Sequence, residues 1–482
     1  MYRAYVTRVT NIRPAENADR LNACEVFGNT TIIDKSITED DTIVYFPSDG
    51  QISVEFGEKN NLFRRKDDAG NNVGGFIDPV KRNITAIRLR GNRSDGLVLP
   101  LSCLNYCYAH GDASIELRAG DVIDGLVNGH EICCKYIPRS NTRVGRVTDG
   151  NKTRKKKIPT APLFAEHVDT EQLAYNLGAF KPGDEIEITL KMHGTSQRTG
   201  YLPVLKGYKR TLLDRLLRRE GKPIYDWGYV SGTRRVVLEN YEGGFYGDNQ
   251  FREQHSKIFE GKLWKGETVY YEVVGFTTSG APIMSSANNA KLQDKEFIKQ
   301  YGKETVFSYG CDPLGKREMY GCDEQGHFKV LIDKPVSDIY VYRMTMTNED
   351  GEVVEYTPDF MRYRCEQMGV KTVPVFFKGI VLETQIHEDG SVEYQLSNGK
   401  MLGACIGEDN IGDMVKQAAE CYYDGPDPIG KTHVREGVVV RIVNRPKFCA
   451  YKHKNFSFKV LEGIAKVEAE APDMEEAQEV TE

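Results

Sequence analysis

Lys191 closes an alternating run and opens a polar turn: residues 185–200 read EIEITLKMHGTSQRTG. A lysine at a strand end, followed by the small and donor-rich His193-Gly194-Thr195-Ser196, is well placed to meet a phosphate. Where desolvation or neighbouring positive charge frees its lone pair, such an amine is also a nucleophile. Read alone, it is equally a surface lysine before a turn. Two acids stand in comparable settings. Glu272 lies inside the apolar run TVYYEVVG, and Glu436 opens EGVVVRI. A glutamate in an apolar strand is costly unless it is paired, binds metal or accepts from a ligand hydroxyl. Lys452 and Lys454 are two residues apart, so they share one face of an extended strand. Together these groups suit a nucleotide and a divalent metal, although each alone also reads as a strand-edge charge.

The elements that must position them are legible around each one. Ile186, Ile188 and Leu190 alternate with Glu185, Glu187 and Thr189, the period of a half-buried strand. The 268–275 and 436–442 runs read as buried strands. With 482 residues the chain is too long for one core, and two or three domains are expected. Residues 1–140 read as all-β, with short strands at 4–9, 30–34, 41–46, 84–90 and 96–101 divided by Gly, Asn and Asp turns. That pattern predicts a small barrel or sandwich. Residues 141–160 are basic and polar, including Arg154-Lys155-Lys156-Lys157, and read as a linker. Residues 466–482 are acidic and poor in large apolar groups, which predicts a disordered tail. The insert 210–222 has leucines at helical spacing among arginines.

A net charge of −6 means that any affinity for nucleic acid must come from local patches such as Lys81, Arg82, Arg88, Arg90 and Arg93. Eleven cysteines without a regular framework suggest reduced thiols, and Cys103/Cys107 with Cys133-Cys134 make a weak metal motif. The sequence has neither a secretory segment nor an apolar run of membrane length, so a cytoplasmic protein with no membrane partner is expected.

Taken in order, KMHGTS at 191–196, SGTRR at 231–235, YEVVG at 271–275, YVYR at 340–343, EGVVV at 436–440 and KHK at 452–454 resemble the ordered motifs of the covalent nucleotidyltransferases, the superfamily of RNA ligases, DNA ligases and capping enzymes. Most of that superfamily has Asp where this chain has His193. The KxHGTS form, the GAPIM loop and the N-terminal β-rich region, with the NADRL string at 17–21 and the IRLRG and SDGL strings, are similar to the RNA ligase 5 group. The resemblance implies an α+β fold: an N-terminal oligonucleotide-binding (OB) barrel at 1–140 and, after the linker, a nucleotidyltransferase domain at 161–465 with antiparallel, ATP-grasp-like sheets.

It also implies roles. Lys191 would attack the α-phosphate of ATP and carry AMP, with Lys452 and Lys454 gripping that phosphate. Glu436 would hold Mg2+ or Mn2+, and Glu272 would take ribose hydroxyls or support the metal. Arg198, Arg234 and Arg235 would hold phosphates or an RNA 5′ end, and Tyr342 would stack on adenine, with Tyr340 the other candidate. His193 and Gly194 would contact the nucleotide or brace the turn. Lys459 is the substitute if the register of the late lysines is off. The implied activity is ATP-dependent sealing of 3′-OH/5′-phosphate breaks in a nicked RNA duplex or RNA–DNA hybrid, by a monomer. A GTP-dependent capping-type guanylyltransferase and a non-catalytic RNA-binding protein are the alternatives.

Overall fold

The computed structural model describes residues 2–462 apart from 16–17, 19–20, 49, 67–71, 86, 90–91, 137–158, 169, 212–220, 239–240, 242–248, 322–327, 389–390, 398–400 and 407–410. Most of the expected linker with its basic cluster, the core of the 210–222 insert, the acidic tail, Arg90 and most of the NADRL string lie outside the described residues. The chain is mixed α/β, its sheets mostly antiparallel and its helices few. It divides into two compact units: Met1–Val147 with Asn289–Phe297 and Lys459–Glu482, and Thr148–Asn288 with Ile298–Phe458.

In the first unit, Leu97–Pro100, Ile43–Phe46, Ala4–Thr7 and Val122–Ile123 form a four-stranded sheet in that order. A three-stranded sheet of Thr10–Pro14, Leu21–Val26 and Asn29–Asp34 stands beside it in the chain. The tight turn between its last two strands has Phe27 and Gly28 both at positive φ, as a two-residue hairpin requires. Asp95 ties strands together through its carbonyl, which accepts from Tyr45 Oη (2.7 Å) and Thr31 Oγ1 (3.1 Å). The sequence predicted an OB barrel here. Short strands are present, but none of the described sheets closes on itself.

The second unit holds the residues singled out for chemistry. One sheet runs Glu171–Gln172, Ala450–Lys454, Gly437–Ile442, Glu185–Leu190, Val375–Ile386, Ser391–Leu396 and Met401–Ile406 in spatial order. Ile186, Ile188, Val438, Val440 and Ile442 are buried on one face, in a core shared with Ile411, Val415, Ala418 and Ala419 of the helix Ile411–Tyr423. Burying a full aliphatic side chain stabilises by roughly 1.5–3 kcal/mol, so this apolar face fixes which residues look the other way.

A second sheet runs Lys222–Gly232, Thr195–Lys209, Glu267–Gly275, Ser337–Thr347 and Val353–Glu355. The helix Pro358–Met368 packs beside it through Met361, Cys365 and Met368. Thr357 caps its start by accepting from Phe360 N, Pro358 occupies the first turn, and Gly369 ends it in the left-handed conformation.

Candidate active site

Leu190 is the last residue of one sheet and Thr195 the first of a strand in the other, so residues 191–194 are a four-residue crossing between them. Every part of that crossing is tied down. Lys191 N donates to Gly437 O (3.0 Å), and His193 N donates to Tyr309 Oη (2.8 Å). A Cβ on Gly194 would lie 2.4 Å from Val273 O and 2.8 Å from Glu272 Cγ, so only glycine fits.

The crossing delivers Lys191 to Glu436. Lys191 Nζ lies 2.5 Å and Lys454 Nζ 3.0 Å from Glu436 Oε1, while His193 Nδ1 is 3.5 Å from Oε2. Lys454 arrives because Gly437 pairs with it across the strands, at a φ of 147° where a Cβ would strike His453 O. Asn455 N donates to Glu436 O (2.9 Å) and closes the turn. Glu436 is only 2% exposed. Burial opposes its charge, but Lys191 and Lys454, with His193, hold its pKa well below the ordinary carboxylate range.

Beside this cluster opens a cavity of about 510 Å³, walled by both sheets. Thr189, Lys191, Val439 and Ala450 line it from the first sheet, and Ser196, Glu272 and Tyr342 from the second. Ser196 pairs with Glu272 across the strands, and its Oγ is 2.8 Å from Tyr342 Oη. Burial pushes the Glu272 pKa up, Lys191 pulls it back and the Glu436 charge pushes again, leaving it at about 7. Arg234 also lines the cavity, as do Gly194 and the loop residue Thr233. Lys452 and Lys454 share the strand face of Ala450 by alternation, although neither lines the cavity.

Four residues named from the sequence are placed differently. Arg198 is 1% exposed, stacks on Phe164 at 4.2 Å, and donates to the carbonyls of Phe164 (3.3 Å), Ala165 and Thr233 (3.1 Å). It therefore braces the segment before the cavity instead of lining it. His193 is outside the cavity lining, its ring packed edge-on against Phe307 (4.6 Å) and Phe458 (4.7 Å). Arg235 is exposed and outside the cavity lining. Lys459 sits in the helix Phe456–Leu461, not in a strand, and pairs with Asp95 at 3.3 Å.

Other residues that line the cavity carry no motif. Arg252 reaches Thr195 Oγ1 (2.6 Å) and Ser196 O (3.3 Å) from the helix Gln250–Lys257. Glu187, buried in the cavity lining, meets Arg362 Nη1 at 2.8 Å, and Arg441 also lines the cavity, its Nε–H donating to no acceptor. Only the alternation that put Glu187 opposite Ile186 and Ile188 signalled any of this in the sequence.

No family model matches the chain, and no curated protein matches it. Solved structures do. Naegleria gruberi RNA ligase with ATP and Mn, as a lysine-to-alanine variant, aligns at a TM-score of 0.53 and 16% identity, over 96% of this chain and 98% of that one. The same enzyme with PPi aligns at 0.53 and 16%, over 95% and 97%. A lysine-to-methionine variant with AMP and Mn aligns at 0.52 and 15%, over 95% and 98%. At such identity the likeness shows a shared fold along almost the whole of both chains.

Proposed function

We propose that the chain is an ATP-dependent RNA ligase that seals 3′-OH/5′-phosphate breaks through an adenylate carried on Lys191. The observation that carries this reading is that Lys191, which lines a nucleotide-sized cavity, meets Glu436, which Lys454 also contacts. The shared fold supports it, since the similar structures are RNA ligases with ATP, AMP or PPi. Closer affiliation with the RNA ligase 5 group rests on the KMHGTS and GAPIM strings and the N-terminal β-rich unit, taken as the OB-type module that grips the duplex through exposed residues such as Arg64, Arg65 and Lys66.

In the reaction, Lys191 Nζ bonds to the α-phosphorus of ATP as the bond to pyrophosphate breaks. The amine must be uncharged when it attacks, and Lys454 Nζ, 3.0 Å from the same Glu436 oxygen, together with a bound cation would favour that form. AMP then passes from Lys191 to an RNA 5′-phosphate. A 3′-hydroxyl attacks that phosphate, forming the phosphodiester and releasing AMP. Lys454 and Lys452 supply positive charge to the α-phosphate, and Arg234 and Arg252 hold phosphate oxygens as planar forks. Tyr342 takes one face of the adenine, and Glu272 accepts from the ribose. Carboxylate oxygens fit Mg2+ or Mn2+, and Glu436 Oε2, buried with His193 Nδ1 at 3.5 Å and no short hydrogen bond, has capacity left for a cation. Glu436, with Glu272, would hold such an ion, which supplies charge neutralisation of the phosphates when bound.

Labelled ATP and GTP offered in parallel with Mg2+ or Mn2+ test the reading. An acid-labile adduct from ATP, absent in Lys191→Ala, is expected. A GTP-only adduct would make the chain a guanylyltransferase, and no adduct with intact RNA binding would make it a non-catalytic binder. A nicked RNA duplex, an RNA–DNA hybrid and an all-DNA nick then resolve the acceptor.

A further inference from the structure

His193 is 8% exposed and does not line the cavity, yet it sits two residues from the amine that reacts. Tyr309 Oη accepts from its backbone N–H (2.8 Å), and the rings of Phe307 and Phe458, themselves in contact at 5.3 Å, pack edge-on against the imidazole. Its Nδ1 stands 3.5 Å from Glu436 Oε2. Lys191 and Lys454 both meet the other oxygen, Oε1. A carboxylate held at one oxygen swings about its last, soft torsion, whereas one held at both does not. Fixed geometry at the reacting groups is worth orders of magnitude in rate.

We propose that His193 is a positioning residue: it clamps Glu436 through Oε2, so that Oε1 is kept on Lys191. An apolar cage built around a polar ring is otherwise a costly arrangement, because the buried nitrogen needs a partner of its own. The inference rests on the reading of Lys191 and Glu436 given above.

Asparagine and leucine are close in size, and the asparagine amide nitrogen falls where Nδ1 stands. Comparing His193→Asn with His193→Leu therefore isolates the donor from the packing. Adduct formation from ATP in His193→Asn is expected within about tenfold of the unsubstituted protein. In His193→Leu it is expected to fall by about 100-fold or more, with the KM for ATP nearly unchanged because residue 193 does not line the cavity. Mn2+ affinity, read by electron paramagnetic resonance without nucleotide, should follow the same order. Equal behaviour of the two variants in rate and in Mn2+ binding, whether both unimpaired or both impaired, overturns the proposal. If the unsubstituted protein forms no adduct, the ligase reading falls instead, and the Mn2+ titration still decides the role of His193.

Discussion

Lys191 Nζ and Glu436 Oε1 lie 2.5 Å apart although 245 residues of chain separate them. Neighbouring antiparallel strands bring them together, with Leu190 paired to Val438 at the end of the ladder. The contact is thus a property of the sheet register, and a register fixed by Ile186, Ile188, Val438 and Val440 beneath it.

Glu436→Gln keeps the shape and removes the charge. Adduct formation at Lys191 is expected to fall by about 100-fold or more, since the amine loses the carboxylate that holds it in place and the cation its ligand. The lysines are left facing a neutral amide, so the urea midpoint should also drop, by roughly 1–3 kcal/mol in stability. Unchanged adduct yield would remove Glu436 from the reaction.

Arg198 and Arg234 should separate cleanly. Arg198→Met strands three buried carbonyls and is expected to destabilise the fold by about 2–4 kcal/mol. Arg234→Ala, at an exposed position on the cavity wall, should leave the melting temperature unchanged and raise the KM for ATP. Melting curves beside ATP titrations tell them apart, and the reverse pattern would contradict the placement of both.

Gly194→Ala forces a methyl group onto Val273 O. A loss of about 2 kcal/mol or more is expected, together with most of the adduct yield. Gly178→Ala, where a Cβ meets nothing within 4 Å, is the matched control and should be close to neutral.

Glu272 gives a pH signature. Its pKa is about 7 in the folded chain against 4.5 ordinarily, so between those values the folded state binds more protons than the unfolded one. Stability relative to Glu272→Gln is therefore largest below about pH 4.5 and declines as pH rises to about 7, by at most about 3 kcal/mol. Urea midpoints of both proteins from pH 5 to 8 measure it. Parallel curves would show that the carboxyl titrates normally.

Much of the second unit was legible because its strands obey a two-residue period. The 185–190, 268–275 and 436–442 strands fall within a residue of where their alternation and apolar runs placed them. Lys452 and Lys454 do share a strand face. The roles of Arg198 and His193 were illegible for a physical reason: residue type fixes what a side chain can bind, but only packing decides which way it points. Arg198 found backbone carbonyls, and His193 found Glu436. The helix at 456–461 carried no clear signal, since Phe456-Ser457-Phe458 satisfies an alternating pattern as readily as a helical turn. Arg252, Arg362 and Tyr309 stayed hidden because they reach the site from segments whose local pattern says nothing about it.

The crossing at 191–194 also divides labour. Lys191, Glu436 and Lys454 belong to, or hang from, one sheet, whereas Ser196, Glu272 and Tyr342 stand on the other. Substitutions on the second wall can then retune which molecule is accepted while the three residues proposed to handle the α-phosphate are left untouched. A mutational lineage could therefore drift in selectivity without passing through an inert ancestor.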